Sequence, residues 1–128
     1  MKLIKVAATA LNQTPFDWAH NKQTILEAIR EARSEQVSIL CLPELCITGY
    51  GCEDMFHSPA VQRMAVQMLH EIVPATDGMV VSVGLPLMHH NGLFNTAALL
   101  VNGRIAGFVA KRFLAGEGIH YEPRWFKA

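Results

Sequence analysis

The chain has 128 residues, 51% of them hydrophobic and 17% charged, which suits one domain or a piece of a larger one with a real core. Eleven basic side chains against eleven acidic ones leave a formal net charge of zero, so the basic footprint of a nucleic-acid binder is excluded. No apolar run approaches the roughly 20 residues that span a bilayer, and the first few residues, where Lys2 and Lys5 flank no extended apolar stretch, lack a signal-peptide layout. Three cysteines, an odd number, point to a reducing compartment and hence to a cytoplasmic protein.

Residues 3–10 form a short apolar, partly β-branched run and read as a strand, broken by Asn12-Gln13-Thr14-Pro15. Over residues 17–36, Ile25, Ile29 and Ala32 recur at helical spacing. Residues 37–42 are a compact buried-strand candidate stopped by Pro43, and a Gly-rich loop, Thr48-Gly49-Tyr50-Gly51-Cys52, follows. Ser58-Pro59 is a helix start, with a capping side chain and proline at the first helical position. Val61, Met64, Ala65, Met68, Leu69 and Ile72 then make one apolar face that ends at Pro74, with the methionines as core fillers. Asp77-Gly78 is a turn, and residues 79–87 run as a buried strand. Asn91-Gly92 and Asn102-Gly103 are hairpin signals that bracket a strand over residues 93–101 and open another over residues 104–111. The order is strand, helix, strand, helix, then three strands joined by two hairpins. That is an α/β chain with a mixed, partly antiparallel sheet and helices on one face. No internal repeat or domain boundary stands out. The chain stops just after Trp125-Phe126 without a closing element, so truncation, or a partner that supplies the rest, is expected.

Two charged positions draw attention. Glu44 follows directly on the second strand, at the C-terminal end where α/β sheets place ligands. Lys111 ends the last strand, and period-2 alternation predicts Ile105, Val109 and Lys111 on one face with Arg112 pointing away. A carboxylate and an ammonium at strand ends can meet in one pocket, or each can sit in water. Spacing alone favours the second. The cysteines are Cys41, Cys46 and Cys52. Cys41 is expected in the core of its strand, whereas Cys46 and Cys52 flank the loop near Glu44, within reach of a pocket. Their spacing does not suit zinc, the histidines are scattered, and adjacent His89 and His90 are expected on opposite sheet faces, so no metal is predicted.

The surrounding segments change that balance. Leu42-Pro43-Glu44-Leu45-Cys46-Ile47-Thr48-Gly49-Tyr50 resembles the first signature of the nitrilase, or carbon-nitrogen hydrolase, superfamily. Lys111-Arg112-Phe113-Leu114 followed by Tyr121-Glu122-Pro123-Arg124-Trp125-Phe126 resembles the second, and the stretch from Asn95 to Lys111 also fits. The resemblance implies the N-terminal part of an α-β-β-α sandwich and cysteine-dependent hydrolysis of an amide or nitrile. It gives Glu44 the role of general base and acid, Lys111 that of the cation steadying the oxyanion, and Glu122 a place lining the same pocket. The chemistry has an independent logic. A thiol near pKa 8.5 is mostly protonated at neutral pH, so it needs a base and a cation beside it. The family's nucleophile lies on a later strand, well beyond the lysine. None of the three cysteines matches it, so the isolated chain is expected to be inactive.

Gly49-Tyr50-Gly51-Cys52-Glu53-Asp54-Met55-Phe56 narrows the resemblance to the glutaminase domains of glutamine-dependent NAD synthetases. That branch implies glutamine as substrate, with Tyr50 lining its pocket. It also implies ammonia delivery to a synthetase domain that uses ATP and magnesium to amidate deamido-NAD, and association into a homo-oligomer. Glu53 and Asp54 equally suit a solvated charge pair. Nothing in these residues resembles the synthetase half: Ala115-Gly116-Glu117-Gly118 lacks the lysine and helix pattern of a phosphate loop and reads as a turn. The chain itself is expected to carry no cofactor. The competing readings are a stand-alone nitrilase-type amidase or carbamoylase, and a non-catalytic scaffold fragment.

Overall fold

The computed structural model describes residues 3–128; Met1 and Lys2, part of the N-terminal stretch weighed as a signal segment, lie outside the described residues. Five strands form one sheet in the order β1-β2-β3-β4-β5: β1 (Val6–Ala8), β2 (Ile39–Cys41), β3 (Val80–His89), β4 (Gly92–Val101) and β5 (Arg104–Ala110). β1, β2 and β3 pair in parallel, and β3, β4 and β5 pair antiparallel. Helices α1 (Trp18–Ser34) and α2 (Pro59–Ile72) supply the crossovers that parallel neighbours require. The order of elements expected from the sequence holds, although β1 and β2 are shorter than their apolar runs.

α1 buries Asn21, Ile25, Ala28, Ile29 and Ala32, and α2 buries Val61, Ala65, Met68, Leu69 and Ile72. They pack on Leu40, Val81, Val83, Leu85, Ala98 and Leu100, alternate residues from one face of the sheet. Asp17 caps α1 by accepting the His20 amide at 3.1 Å. Ser58 stands at the N-cap of α2 but makes no side-chain capping bond, so the start of that helix rests on Pro59 and its packing.

Among the described residues, helices cover only one face. The opposite face leaves Val6, Ile39, Leu99 and Val109 exposed, and Cys41 with them. The expectation of a core Cys41 is therefore corrected. β2 alternates, with Leu40 turned to the helices and Ile39 and Cys41 to the open side.

A second correction concerns β5. Leu100 pairs with Ile105 but Leu99 pairs with Gly107, so Ala106 is the extra residue of a β-bulge. The bulge reverses the alternation. Ile105 packs against the helix-side core, while Val109 and Lys111 line the cleft described below on the other face. The hairpin turns also differ slightly from the dipeptide signals. Asn102 and Gly103, both at positive φ, join β4 to β5 as read, but the β3–β4 turn is His90-Asn91 and Gly92 already belongs to β4. His89 and His90 do not diverge to opposite faces; their rings stack edge to face, 4.1 Å apart.

After β5 the chain returns to the same sheet. The Lys127 amide donates to the Leu93 carbonyl oxygen at 2.8 Å, and Phe94 bridges Lys127 in parallel, on the part of β4 beyond the end of β5. Leu45, Cys52, Phe56, Leu93, Trp125 and Phe126 form a second buried cluster beneath this return. It fastens the segment carrying Glu122 beside the end of β5.

Candidate active site

The loop after β2 sets the first candidate residue, Glu44. Leu42 donates its amide to Ser82 at 3.0 Å and Ile47 donates to Gly84 at 3.2 Å, so the turn Pro43-Glu44-Leu45 lies flat against β3. It lies so close that a Cβ on Gly84 would meet the Leu45 nitrogen and stand 2.6 Å from the Pro43 carbonyl oxygen. Only glycine permits that approach. Leu45 takes a left-handed conformation (φ 50°), costing about 1–3 kcal/mol in a non-glycine residue, and its fully buried side chain holds it there. The Glu44 carboxylate is thereby aimed over the open face.

Lys111 reaches the same point from the end of β5. Its Nζ lies 2.7 Å from Glu44 Oε1. Asn95, buried on β4, donates Nδ2 to the same oxygen at 2.6 Å. The Lys111 Nζ also lies 3.0 Å from the Glu122 carboxylate. Glu122 is almost completely buried, with its side chain 1% exposed. An unpaired carboxylate there would cost several kcal/mol. It is instead met by the Tyr50 hydroxyl at 2.7 Å and the Ala115 amide at 2.8 Å, besides Lys111. Burial pushes the Glu122 pKa upward, but the Ala115 amide, the Tyr50 hydroxyl and Lys111 outweigh it and hold the carboxyl below its ordinary value. Desolvation works to lower the Lys111 pKa, and the two glutamates overcome it to raise the ammonium above its ordinary value. Burial, followed by the neighbouring Glu122, raises the Tyr50 phenol. All of these shifts favour an ionised glutamate, a charged lysine and a neutral tyrosine at physiological pH.

Glu44, Lys111 and Asn95 border an open cleft of about 370 Å³ whose wall also includes Cys41, Ser82 and Gly84. The four residues singled out from the sequence, Glu44, Tyr50, Lys111 and Glu122, are thus linked in one hydrogen-bonded chain. The loop that carries Tyr50 is secured from below. Fully buried Asn21 binds both backbone groups of Thr14 and the Ile47 carbonyl oxygen, and Gln13 donates to the Cys46 carbonyl oxygen at 2.7 Å. Gly49 (φ 80°) lies against Pro15 with no room for a side chain.

Cys46 and Cys52 do not reach the cleft, contrary to the expectation drawn from their place in the sequence. Cys46 is buried under the helices, and desolvation pushes its thiol up to about 12. Cys52 is buried in the second cluster, and desolvation raises it to about 11. Glu53 and Asp54 are more than a solvated pair. Asp54 takes a two-pronged bond from Arg124 at 2.6 and 2.7 Å and another from the Trp125 indole at 3.0 Å, while Glu53 accepts from Tyr121 at 3.0 Å. They fasten the segment around Glu122 to the loop after Tyr50. Among the described residues, no group of three or more His, Cys, Asp or Glu side chains is arranged to hold a metal ion.

The fold and the paired Glu44–Lys111 cleft define a carbon-nitrogen hydrolase scaffold. The chain matches the carbon-nitrogen hydrolase family over residues 5–127 and belongs to that family. Within it, the chain is similar to the glutamine-dependent NAD(+) synthetase of Rattus norvegicus, 37% identical over 96% of this chain and 17% of that protein. It is likewise similar to the Arabidopsis thaliana enzyme of the same name, 37% identical over 100% of this chain and 18% of that protein. Among solved structures, a glutamine-dependent NAD(+) synthetase from Cytophaga hutchinsonii is 50% identical with a TM-score of 0.95, covering 98% of this chain and 22% of that one. An amidase from Nesterenkonia sp. shares the fold at 22% identity and a TM-score of 0.80, covering 97% of this chain and 47% of that one. The chain therefore spans less than a fifth of the length of the curated relatives compared.

Proposed function

We propose that this chain is part of a glutaminase unit that releases ammonia for the ATP-dependent amidation of deamido-NAD to NAD in a longer synthetase. The observation that carries the reading is the meeting of Glu44 and Lys111 in one cleft, with buried Glu122 against Lys111, within a chain 50% identical to a glutamine-dependent NAD(+) synthetase. In this reading glutamine lies over the open sheet face, and a cysteine from a later segment of the protein attacks its side-chain carbonyl carbon. Glu44 takes the thiol proton, and Lys111 faces the oxygen that becomes negative. A preorganised donor at that position contributes about 3 kcal/mol to such a step. The C–N bond then breaks, and Glu44 returns the proton to the departing ammonia, leaving a thioester for water to hydrolyse. Tyr50 lines the glutamine pocket in this reading, and Glu122, buried behind Lys111, holds the lysine in place. ATP and magnesium act in the synthetase domain, outside this chain. The ligase as a whole is cytoplasmic and homo-oligomeric in this reading. Nothing favours a stand-alone amidase or a scaffold over it, since the amidase likeness is one of fold alone.

The test is a pair of assays on the longer protein that carries this chain. Glu44→Gln removes the proton acceptor and is expected to lower glutamine-driven NAD formation by about 10²–10⁴-fold. NAD formation driven by added ammonium salt is expected to stay within about threefold, because that route bypasses the cleft. Equal loss by both routes, or glutamine-driven formation at the parent rate, would overturn the proposal.

A further inference from the structure

The two oxygens of the Glu44 carboxylate are not equivalent. Oε1 accepts from Asn95 Nδ2 at 2.6 Å and from Lys111 Nζ at 2.7 Å, whereas Oε2 accepts no bond among the described residues. Each carboxylate oxygen has about two lone-pair sites, so two short bonds from N–H donors occupy Oε1. Asn95 is itself 3% exposed and fixed in β4. Its backbone also acts on the other partner, because the Lys111 amide donates to the Asn95 carbonyl oxygen at 2.8 Å. One residue therefore holds the main chain of the lysine and the side chain of the glutamate together. A carboxylate only accepts, so the amide nitrogen must be the atom that faces it.

We propose that Asn95 is a positioning residue that occupies Glu44 Oε1 and leaves Oε2 as the oxygen that exchanges the proton. The inference rests on the glutaminase reading above and adds the atom at which the proton moves. The thiol proton passes to Oε2 as the S–H bond breaks, and the same Oε2–H later protonates the leaving ammonia. Lys111 carries its charge on a flexible four-carbon stem and can turn from Oε1 toward the developing oxyanion. Asn95 donates whether Glu44 is ionised or protonated, so the carboxylate keeps its orientation when the lysine turns. Without that donor the carboxylate is free to rotate and to follow the lysine.

The longer protein serves for the test, with glutamine hydrolysis read as kcat and KM separately and a thermal melt on each variant. Asn95→Leu keeps the approximate volume and deletes the donor. Asn95→Asp keeps the shape and places an acceptor against Glu44 Oε1. Both are expected to lose about 10- to 100-fold in kcat, the scale of a hydrogen bond to a charged group, with KM for glutamine within about threefold. Asn95→Asp is expected to be at least as impaired as Asn95→Leu, because it sets two carboxylates together. A residue needed only to fill space gives the opposite order, since the aspartate is nearly isosteric. Where either variant fails to fold, Asn95→Ser replaces it, its hydroxyl being too short to span the gap, and the same split is expected. Parent-like kcat in a folded variant, an Asn95→Asp enzyme clearly better than Asn95→Leu, or a loss confined to KM would overturn this inference alone. A parent enzyme that does not hydrolyse glutamine would overturn the glutaminase reading instead.

Discussion

In Gly84→Ala the new methyl group has nowhere to go. It would meet the Leu45 amide nitrogen and lie 2.6 Å from the Pro43 carbonyl oxygen and 2.9 Å from the Glu44 carbonyl carbon, all backbone atoms that cannot swing aside. Real Cβ contacts fall near 3.4 Å or beyond, so the turn carrying Glu44 must lift from β3 by about 1 Å. Two consequences follow. The bonds by which Ile47 and Leu42 fasten the turn to β3 are stretched, and overpacking of this kind costs about 1–3 kcal/mol of stability. The Glu44 carboxylate also leaves contacts of 2.6 and 2.7 Å with Asn95 and Lys111, and a 1 Å misplacement of a reacting group costs on the order of 10²-fold in rate. The assay is glutamine hydrolysis by the longer protein, with a thermal melt alongside. A lowered melting temperature with kcat/KM down about a hundredfold is expected on that scale. Parent-like hydrolysis, within about threefold, together with an unchanged melting temperature would refute the claim that the bare α-carbon of residue 84 positions Glu44.

Two further outcomes follow from the same geometry. A mild alkylating reagent at pH 8, read by peptide mass spectrometry, is expected to label exposed Cys41 first and to leave Cys46 and Cys52 unmodified in the folded protein, since both are buried and their thiols are raised to about 12 and about 11; labelling of Cys46 at a comparable rate would contradict that packing. Acid stability should report Glu122. Its folded pKa is depressed from 4.5, so the stability it contributes is present above pH 4.5 and is lost as pH falls through the folded value. Chemical denaturation from pH 6 to pH 3 is expected to show a smaller loss of stability in Glu122→Gln than in the parent, and identical acid profiles would oppose the assignment.

Much of this arrangement was readable from the residue order, and the exceptions have physical causes. The helices were legible because their apolar faces repeat at 3.6 residues and pack on one sheet face. Glu44 and Lys111 were legible through the segments around them and their place at strand ends, but that they lie 2.7 Å apart required the fold. Cys41 was misjudged because a short apolar strand does not declare which of its faces will be covered. The bulge at Ala106 left no pattern, since Ile105, Ala106 and Gly107 pair acceptably in either register until β4 is fixed. Asn95 was noticed only as the start of a stretch that fits the family and was given no role at the site, because a single asparagine in a strand gives no sign that a carboxylate lies above it. Gly84 did carry a signal. A glycine inside an apolar strand often marks close backbone approach, and here the approaching backbone is that of Glu44.

The central claim is that Glu44 and Lys111, 67 positions apart in the chain, work as one unit. A double-mutant cycle measures this directly: kcat for glutamine hydrolysis in Glu44→Gln, Lys111→Met and the double variant of the longer protein. The account predicts that each single change removes about 10²–10⁴-fold and that the double variant is scarcely slower than either, because one operation has been removed twice. Losses that multiply, or a Lys111→Met enzyme as fast as the parent, would contradict it.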